Sequence, residues 1–503
     1  MREGIAEEER RERRVGHAAW PSIPAMRRGA AEPVIALMLA CLLLVAGCAV
    51  GPDYVRPEMA LGPLHNAQAV ASRSAVAEEP SLDQWWQGFH DRQLTRIIER
   101  VFEQNLDIKA SLERVAQARA AARAAGAGLL PTLDANGGAM YERMSLDDPI
   151  AAIGSTIPGF KRDGEMYTLG LSSSWESDLF GGLRRREEAA LAVAEAAEAM
   201  HAGVRIAVAA EAADAYFRVR GIQAQLRAIG ARIANDAGLL DMLKEQTAHG
   251  LATAREVAQA EALLAHTQGE GTLLRIDLEA QLNRLDVLMG AQPGTYAGEL
   301  SNELNAAIAA VPPISARSAD FLRRRPDVIA AERELAAANA RIGVAVAGYY
   351  PEISLSALLG YESLTIGDLF NNSTLQLTGL AGLRWRLFDF GRIDAEVAGA
   401  DAATREALVR YRQVILRAAE DVENACVSLV QLEAYSRDVT RQIKALTQVY
   451  DDSKTAYLAG MIPLTDVLDA DRQLLAAESE LPRVQANAAR AAVRLFRSLG
   501  GGW

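Results

Sequence analysis

Few residues of this chain stand where chemistry could be done, and the clearest is Cys48. It follows Val45-Ala46-Gly47 at the end of a 14-residue apolar stretch, Pro33 to Ala46, itself preceded by Arg27 and Arg28. Small residues ahead of a cysteine in that place match a lipobox, in which the thiol is acylated and the cysteine becomes the first residue of the mature chain. The apolar core is shorter than the about 20 residues that a bilayer span needs. Asp466 and Asp469 are the next candidates. Three apart on a helix, they share a face one turn apart, a spacing that most often belongs to a solvated surface. His249 and His266 lie 17 apart on either side of the first tip, and they read as surface residues. The sequence contains no CxxC, HExxH, GxSxG, P-loop or dinucleotide fingerprint. It therefore predicts no enzyme, no metal site and no cofactor beyond a lipid on Cys48.

The elements that carry these residues follow from composition and pattern. The 503 residues hold 53 Lys+Arg against 65 Asp+Glu, a net charge of −12, which argues against nucleic acid as a partner. Hydrophobic residues make up 50% and aromatics only 6%, while mean hydropathy is +0.00; long Ala-rich helices account for that combination. Residues 1–25 read as an upstream extension and 26–47 as a lipoprotein signal peptide. Once Cys41 leaves with the signal, Cys426 is the only cysteine besides Cys48, so no internal disulfide forms. Beyond Cys48 no uncharged apolar run reaches about 18 residues. An exported chain of this kind can cross a bilayer only as a β-barrel.

A tandem repeat organises the rest. Trp175, Phe180 and Gly181 recur as Trp385, Phe390 and Gly391, Gly250 as Gly460, and Gly290 as Gly500, all at an offset of 210. Upstream the offset becomes 220, matching Asp107 to Asp327 and Pro131 to Pro351. Each copy reads as helix, two strands, long helix, turn, helix. Helices are expected near 94–126, 183–248, 254–289, 317–347, 392–459 and 464–498. Strands are expected at 132–141, 167–175, 353–361 and 375–385, the two of the first copy being joined by a polar loop. Four strands cannot close a barrel, because membrane barrels need at least about eight; three chains would supply twelve. The fold class is thus an α+β membrane protein, a homotrimeric 12-stranded barrel continuous with a long α-helical barrel. A periplasmic coiled-coil rod is the plainer alternative, and the paired strands speak against it.

At this point the chain resembles the TolC/OprM/NodT family of outer-membrane efflux channels, in its lipoprotein branch. The resemblance rests on Trp85-Trp86-Gln87-Gly88-Phe89-His90-Asp91, on Asn105-Leu106-Asp107 and on Arg325-Pro326-Asp327 with Glu332, running on to Tyr350-Pro351. Cys48 to Tyr54 is similar to the family's mature amino terminus. Arg92 departs from the family, which usually has proline there. The resemblance implies a homotrimer in the outer membrane of a Gram-negative bacterium, reaching into the periplasm. It implies as partners a periplasmic adaptor, an inner-membrane pump of RND type and the outer-membrane lipid. The channel would pass drugs, toxic compounds or metal ions passively; a type I secretion duct for polypeptides is the alternative. On this basis 48–90 is the lipidated segment with equatorial contacts, 91–300 the first repeat and 301–503 the second, with helix breaks around 291–316.

The resemblance also assigns sites. The helix-turn-helix tips at Gly250, Leu251 and Thr253, and at Gly460, Met461 and Pro463, would dock the adaptor, with Ala252 and Leu464 as positions for crosslinks. A plain helix hairpin accounts for the same glycines. Asp466 and Asp469 would line the closed periplasmic mouth as rings, with Tyr457 in the gate network and Glu256 at the acidic position of the first copy. Ile462 stands where some members have arginine, so that member's inter-helix bridge is not expected here.

Overall fold

The computed structural model describes residues 49–58, 62–66, 70, 81–301 and 324–502. Cys48, the signal peptide, residues 1–25 and most of the 291–316 region lie outside the described residues. After a short 3₁₀ turn at Leu82–Phe89 the chain runs α1 (Arg92–Gln104), α2 (Leu106–Ala127), β1 (Thr132–Arg143), β2 (Asp163–Ser177), α3 (Gly182–Ala248) and α4 (Ala254–Leu288). The second copy runs α5 (Pro326–Ala347), β3 (Glu352–Ser363), β4 (Leu375–Arg384), α6 (Arg392–Leu458) and α7 (Leu464–Ser498). The four strands form one antiparallel sheet in the order β1-β2-β3-β4.

The two copies match in length as well as in order. Helices α3 and α6 have 67 residues each and α4 and α7 have 35 each; at 1.5 Å per residue the long pair spans about 100 Å. The repeated glycines mark the same three corners in each copy. Gly181 and Gly391 open the long helices at φ +80 and +81, Gly250 and Gly460 turn the tips, and Gly290 and Gly500 close the last helices. At Gly181 a side chain would also strike Ala49, so the position needs glycine twice over.

The structure corrects the sequence reading at element ends. The strands are longer than expected in the first copy, because β2 begins at Asp163. The loop between β1 and β2 carries a short helix, Pro149–Gly154. Pro482 sits inside α7 without ending it. The single helix expected near 94–126 is two. Asn105 leaves helical geometry at ψ 131 and caps α2, accepting from the Ile108 amide at 3.0 Å. Its Nδ2 donates to the Leu288 carbonyl at 2.8 Å, tying the break to the end of α4. Arg92 occupies the first turn of α1 behind the Asp91 cap, a place where proline or another residue serves equally well.

The core lies at the waist, where the motif residues gather. Trp85 stacks on Phe496 with centroids 5.5 Å apart, and Phe89 packs on Phe217 at 4.9 Å. Asp91 caps α1 and accepts from the Tyr216 hydroxyl at 2.6 Å. Buried Arg325 donates to the Ser498 carbonyl at 3.0 Å and to Asp421 at 2.9 Å, clamping the carboxyl-terminal helix to the start of α5. Glu332 accepts from Tyr54 at 3.1 Å, holding the amino-terminal segment. The most specific sequence motifs are therefore structural clamps. Asn105→Ala should lower stability by roughly 2–4 kcal/mol, from a lost cap and an unpaired buried carbonyl. Thermal unfolding in detergent reads this, and an unchanged midpoint would contradict the capping role.

Candidate functional site

The sheet has two faces of opposite character, and the pairing keeps each face continuous. Ala135 pairs with Leu171, Leu171 with Leu359, and Leu359 with Leu377. Because side chains alternate along a strand, these residues share one face with Leu133, Leu169, Leu355, Ala381 and Leu383. The opposite face carries Asp134, Asn136, Thr168, Ser172, Ser354, Ser356, Gln376 and Thr378. Aromatic residues mark both ends of the apolar face, Tyr141, Tyr167 and Tyr361 at one and Trp175 and Trp385 at the other. From Leu133 to Tyr141 the strand covers about 27 Å, close to the apolar band of a membrane barrel. No helix among the described residues is long and apolar enough to cross a membrane.

The foot of this sheet holds the amino-terminal segment. The Trp175 indole donates to the Leu129 carbonyl at 2.9 Å and that of Trp385 to Tyr349 at 3.0 Å, fixing both hairpins on their helices. The Val50 amide donates to the Phe180 carbonyl at 3.0 Å, and Arg185 donates to the Val50 carbonyl at 3.2 Å and to Asp53 at 2.6 Å. Ala49, next after Cys48, thus lies just below β2.

At the far end of the helices the tips stand clear of the protein. Leu251 and Met461 are 78% and 71% exposed, and Gly250, Gly460, Thr253 and Pro463 are exposed beside them. Leu464, by contrast, is 1% exposed and packs under the tips with Leu240, Leu243 and Val467, so it is no place for a crosslink. Its burial follows from its position, the first residue of α7 on the inward stripe. Tyr457 and Ile462 join the same apolar cluster. Burial, with the nearby Glu256 charge, pushes the Tyr457 hydroxyl up.

The acidic residues are less free than their spacing implied. Glu256 forms a capping box with Thr253, accepting from its amide at 2.7 Å and its hydroxyl at 2.8 Å. Those two bonds hold the carboxylate below its usual range. Its cap is therefore fully present above the ordinary carboxylate pKa and is lost as pH falls through the lowered value. Asp469 is paired with Arg472, three residues on, and accepts from Gln473 at 3.0 Å. Asp466 is exposed, and the Thr465 hydroxyl donates to it at 3.4 Å. It also lies in the first turn of α7, where a negative charge suits the helix dipole. His249 and His266 are exposed, and the His266 ring lies 3.5 Å from the Glu270 carboxylate one turn on. Among the described residues no group of three or more metal-binding side chains is placed to hold an ion.

Sequence reasoning missed the buried ionic cluster above the tips. Arg232 on α3 lies 3.1 Å from Asp236 and pairs with Asp471 on α7, all with side chains almost wholly buried. Thr267 on α4 donates to Asp236 at 2.9 Å, and the Arg232 guanidinium lies 5.6 Å from the Tyr450 ring on α6. Four helices meet at one cation. The signal was available, since Asp471 falls on the apolar stripe of Val467, Ala470 and Leu474. Arg232→Met should cost about 3–5 kcal/mol by leaving two carboxylates buried without their cation. Adding Asp471→Leu should recover part of that loss in unfolding measurements; equal midpoints for all three proteins would refute the tie.

Comparison with known proteins agrees with this geometry. A family model described as outer membrane efflux protein matches residues 97–291 and 318–501. The pyoverdine export outer membrane protein OpmQ of Pseudomonas aeruginosa is 31% identical over 469 residues, covering 93% of this chain and 97% of that one. The solvent efflux pump outer membrane protein SrpC of Pseudomonas putida is 29% identical over 480 residues, covering 93% and 98%. Among solved structures, the outer-membrane channel OprN superposes with a TM-score of 0.82 at 30% identity, covering 91% of this chain and all (100%) of the other.

Proposed function

This chain belongs to the outer membrane efflux protein family, and from that premise we infer that three copies form a 12-stranded outer-membrane barrel set on a periplasmic helical tube. It is the outer-membrane exit channel of an efflux pump. The observation that carries the reading is the sheet, apolar and aromatic-bounded on one face and polar on the other, with both edges open in a single protomer. Two relatives of nearly equal similarity carry different cargo in their names, pyoverdine and solvents. We place cargo choice elsewhere in the assembly, in an inner-membrane pump joined through a periplasmic adaptor. Leu251 and Met461 are the exposed apolar side chains that the adaptor would grip. Small-molecule efflux is favoured over polypeptide export by the same relatives.

Cys48 carries the lipid on this reading. The place of Ala49 at the foot of β2 supports it, because acyl chains one residue away reach the adjoining leaflet. Mass spectrometry of the amino terminus should find diacylated or triacylated Cys48 as the first residue. An unmodified terminus or cleavage elsewhere would sink the idea.

The periplasmic mouth is ringed by acid. Three-fold symmetry brings three copies of Asp466 around one axis, with three of Asp469 about 4.5 Å further along. Asp469 shares an exposed ion pair with Arg472, which offsets part of its charge, so Asp466 contributes more of the field. A carboxylate ring favours cations and binds divalent ions. In planar bilayers the channel should be cation-selective and blocked by divalent cations from the periplasmic side. Asp466→Ala should weaken the block more than Asp469→Ala does. Equal block in both variants and the parent would show that these side chains only face solvent.

A further inference from the structure

Helix α7 carries Arg472, Arg483, Arg490, Arg494 and Arg497 along one solvent-facing stripe. Those nearer the tips are spent on carboxylates. Arg472 pairs with Asp469, Arg483 with Glu480 at 2.7 Å, and Arg490 with Asp214 at 2.6 Å. The two at the waist are not. Among the described residues neither Arg494 nor Arg497 has a hydrogen-bond or ion-pair partner.

Both line a recess of about 530 Å³ where α7 ends and α5 begins, flanked by α3 and α6. That size suits a small organic molecule. Buried Arg325 stands at its back, held by Asp327 at 2.8 Å, Asp421 at 2.9 Å and the Ser498 carbonyl at 3.0 Å. Ile206 and Ala425 supply apolar wall, and Asn424 and Ser428, one turn apart on α6, add polar side chains. Three arginines against two aspartates leave one net positive charge, which suits a monoanion and turns away a polyanion. Two guanidinium forks one turn apart match the oxygens of a carboxylate or sulfonate. Partial desolvation, and then the Arg490 charge, push the Arg494 guanidinium below its usual range. It stays charged at any ordinary pH, so an anion beside it relieves a crowding of cations.

The recess opens away from the amino-terminal segment. On α5 that segment is held by Glu332 on Tyr54, Asn339 on Pro52 and Gly343 against Gly51. Asp327 lies about 120–160° round the helix from all three. On α6 Asn66 donates to Glu423 at 2.7 Å, and Asp421 lies about 160° round from Glu423. The segment starts beside the lipid-bearing residue and so runs on the outer surface of the tube. The recess therefore faces the bore, between two long helices of one chain, where assembly leaves it open.

We propose, resting on the three-copy tube inferred above, that this recess is an inner-wall binding site for a singly charged organic anion, a carboxylate or sulfonate on a small apolar body, held by Arg494 and Arg497. It offers such an anion, once past the acidic mouth, a place that is favourable to enter and weak enough to leave.

Calorimetric titration of the purified trimer in neutral detergent, with naphthoate and its uncharged counterpart naphthamide, tests the site. Naphthoate should bind saturably at one per chain, and at least about tenfold more tightly than naphthamide. Arg494→Gln with Arg497→Gln should cost naphthoate at least about tenfold in affinity and leave naphthamide unchanged. Arg483→Gln, which removes a cation already paired, should leave naphthoate binding as it was. Equal naphthoate binding by parent and double variant overturns the proposal, as does equal binding of the two compounds by the parent. A comparable loss in Arg483→Gln overturns it too, by showing a general field rather than a local site. If the double variant does not assemble, Arg494→Gln alone should show part of the same selective loss, and its absence overturns the proposal. In planar bilayers naphthoate should reduce the parent's current and not the double variant's. Binding by the parent with no change in its current would keep the anion site but overturn its place in the bore, and with it the three-copy tube.

Discussion

Everything in this molecule answers to one requirement, that backbone hydrogen-bonding groups inside a membrane be paired. A four-stranded sheet satisfies only its interior ladder. Its apolar face, bounded by tyrosines above and tryptophans below, commits it to lipid, and its open edges commit it to more copies of itself. The requirement cannot be met by helices here, since none of those described is apolar enough to span. It is met by association of copies.

The helices inherit that geometry. Each hairpin of strands leads within a few residues into a 67-residue helix, each entered through a left-handed glycine, so a ring of strands passes into a ring of helices. Equal lengths in the two copies bring both tips to one end of the molecule. Small side chains along α3, α5 and α7 allow close approach over that length. The waist is where large side chains collect, and there the tryptophans, Arg325 and Glu332 fasten both ends of the chain to the wall.

Nearer the tips the wall is held differently. An apolar cluster around Leu243, Val467 and Tyr457 joins the two helix hairpins, with Ile462 packed into it. Above it the Arg232 cluster ties α3 to α7 with charge in a place that excludes water. Such a tie is costly to build and costly to break. The two hairpins of one protomer are therefore bound to each other by a buried ion pair as well as by apolar packing.

The sequence by itself determined the repeat, the order of elements, the alternation that makes a two-faced sheet and the need for several copies, because each is a local periodicity or a count. It also located the exposed tips, since glycine and proline act on their own neighbourhood. What only the tertiary structure decided was the partner of each charge. Glu256 acquired the Thr253 amide and hydroxyl as a helix cap, Asp469 acquired Arg472, and Arg232 found Asp471 across the protein. It decided too that the first helix breaks at Asn105, whose amide reaches the end of α4. Ion pairs and buried caps depend on which faces of distant helices meet and at what height, and no spacing along one chain encodes that meeting until the helices are packed.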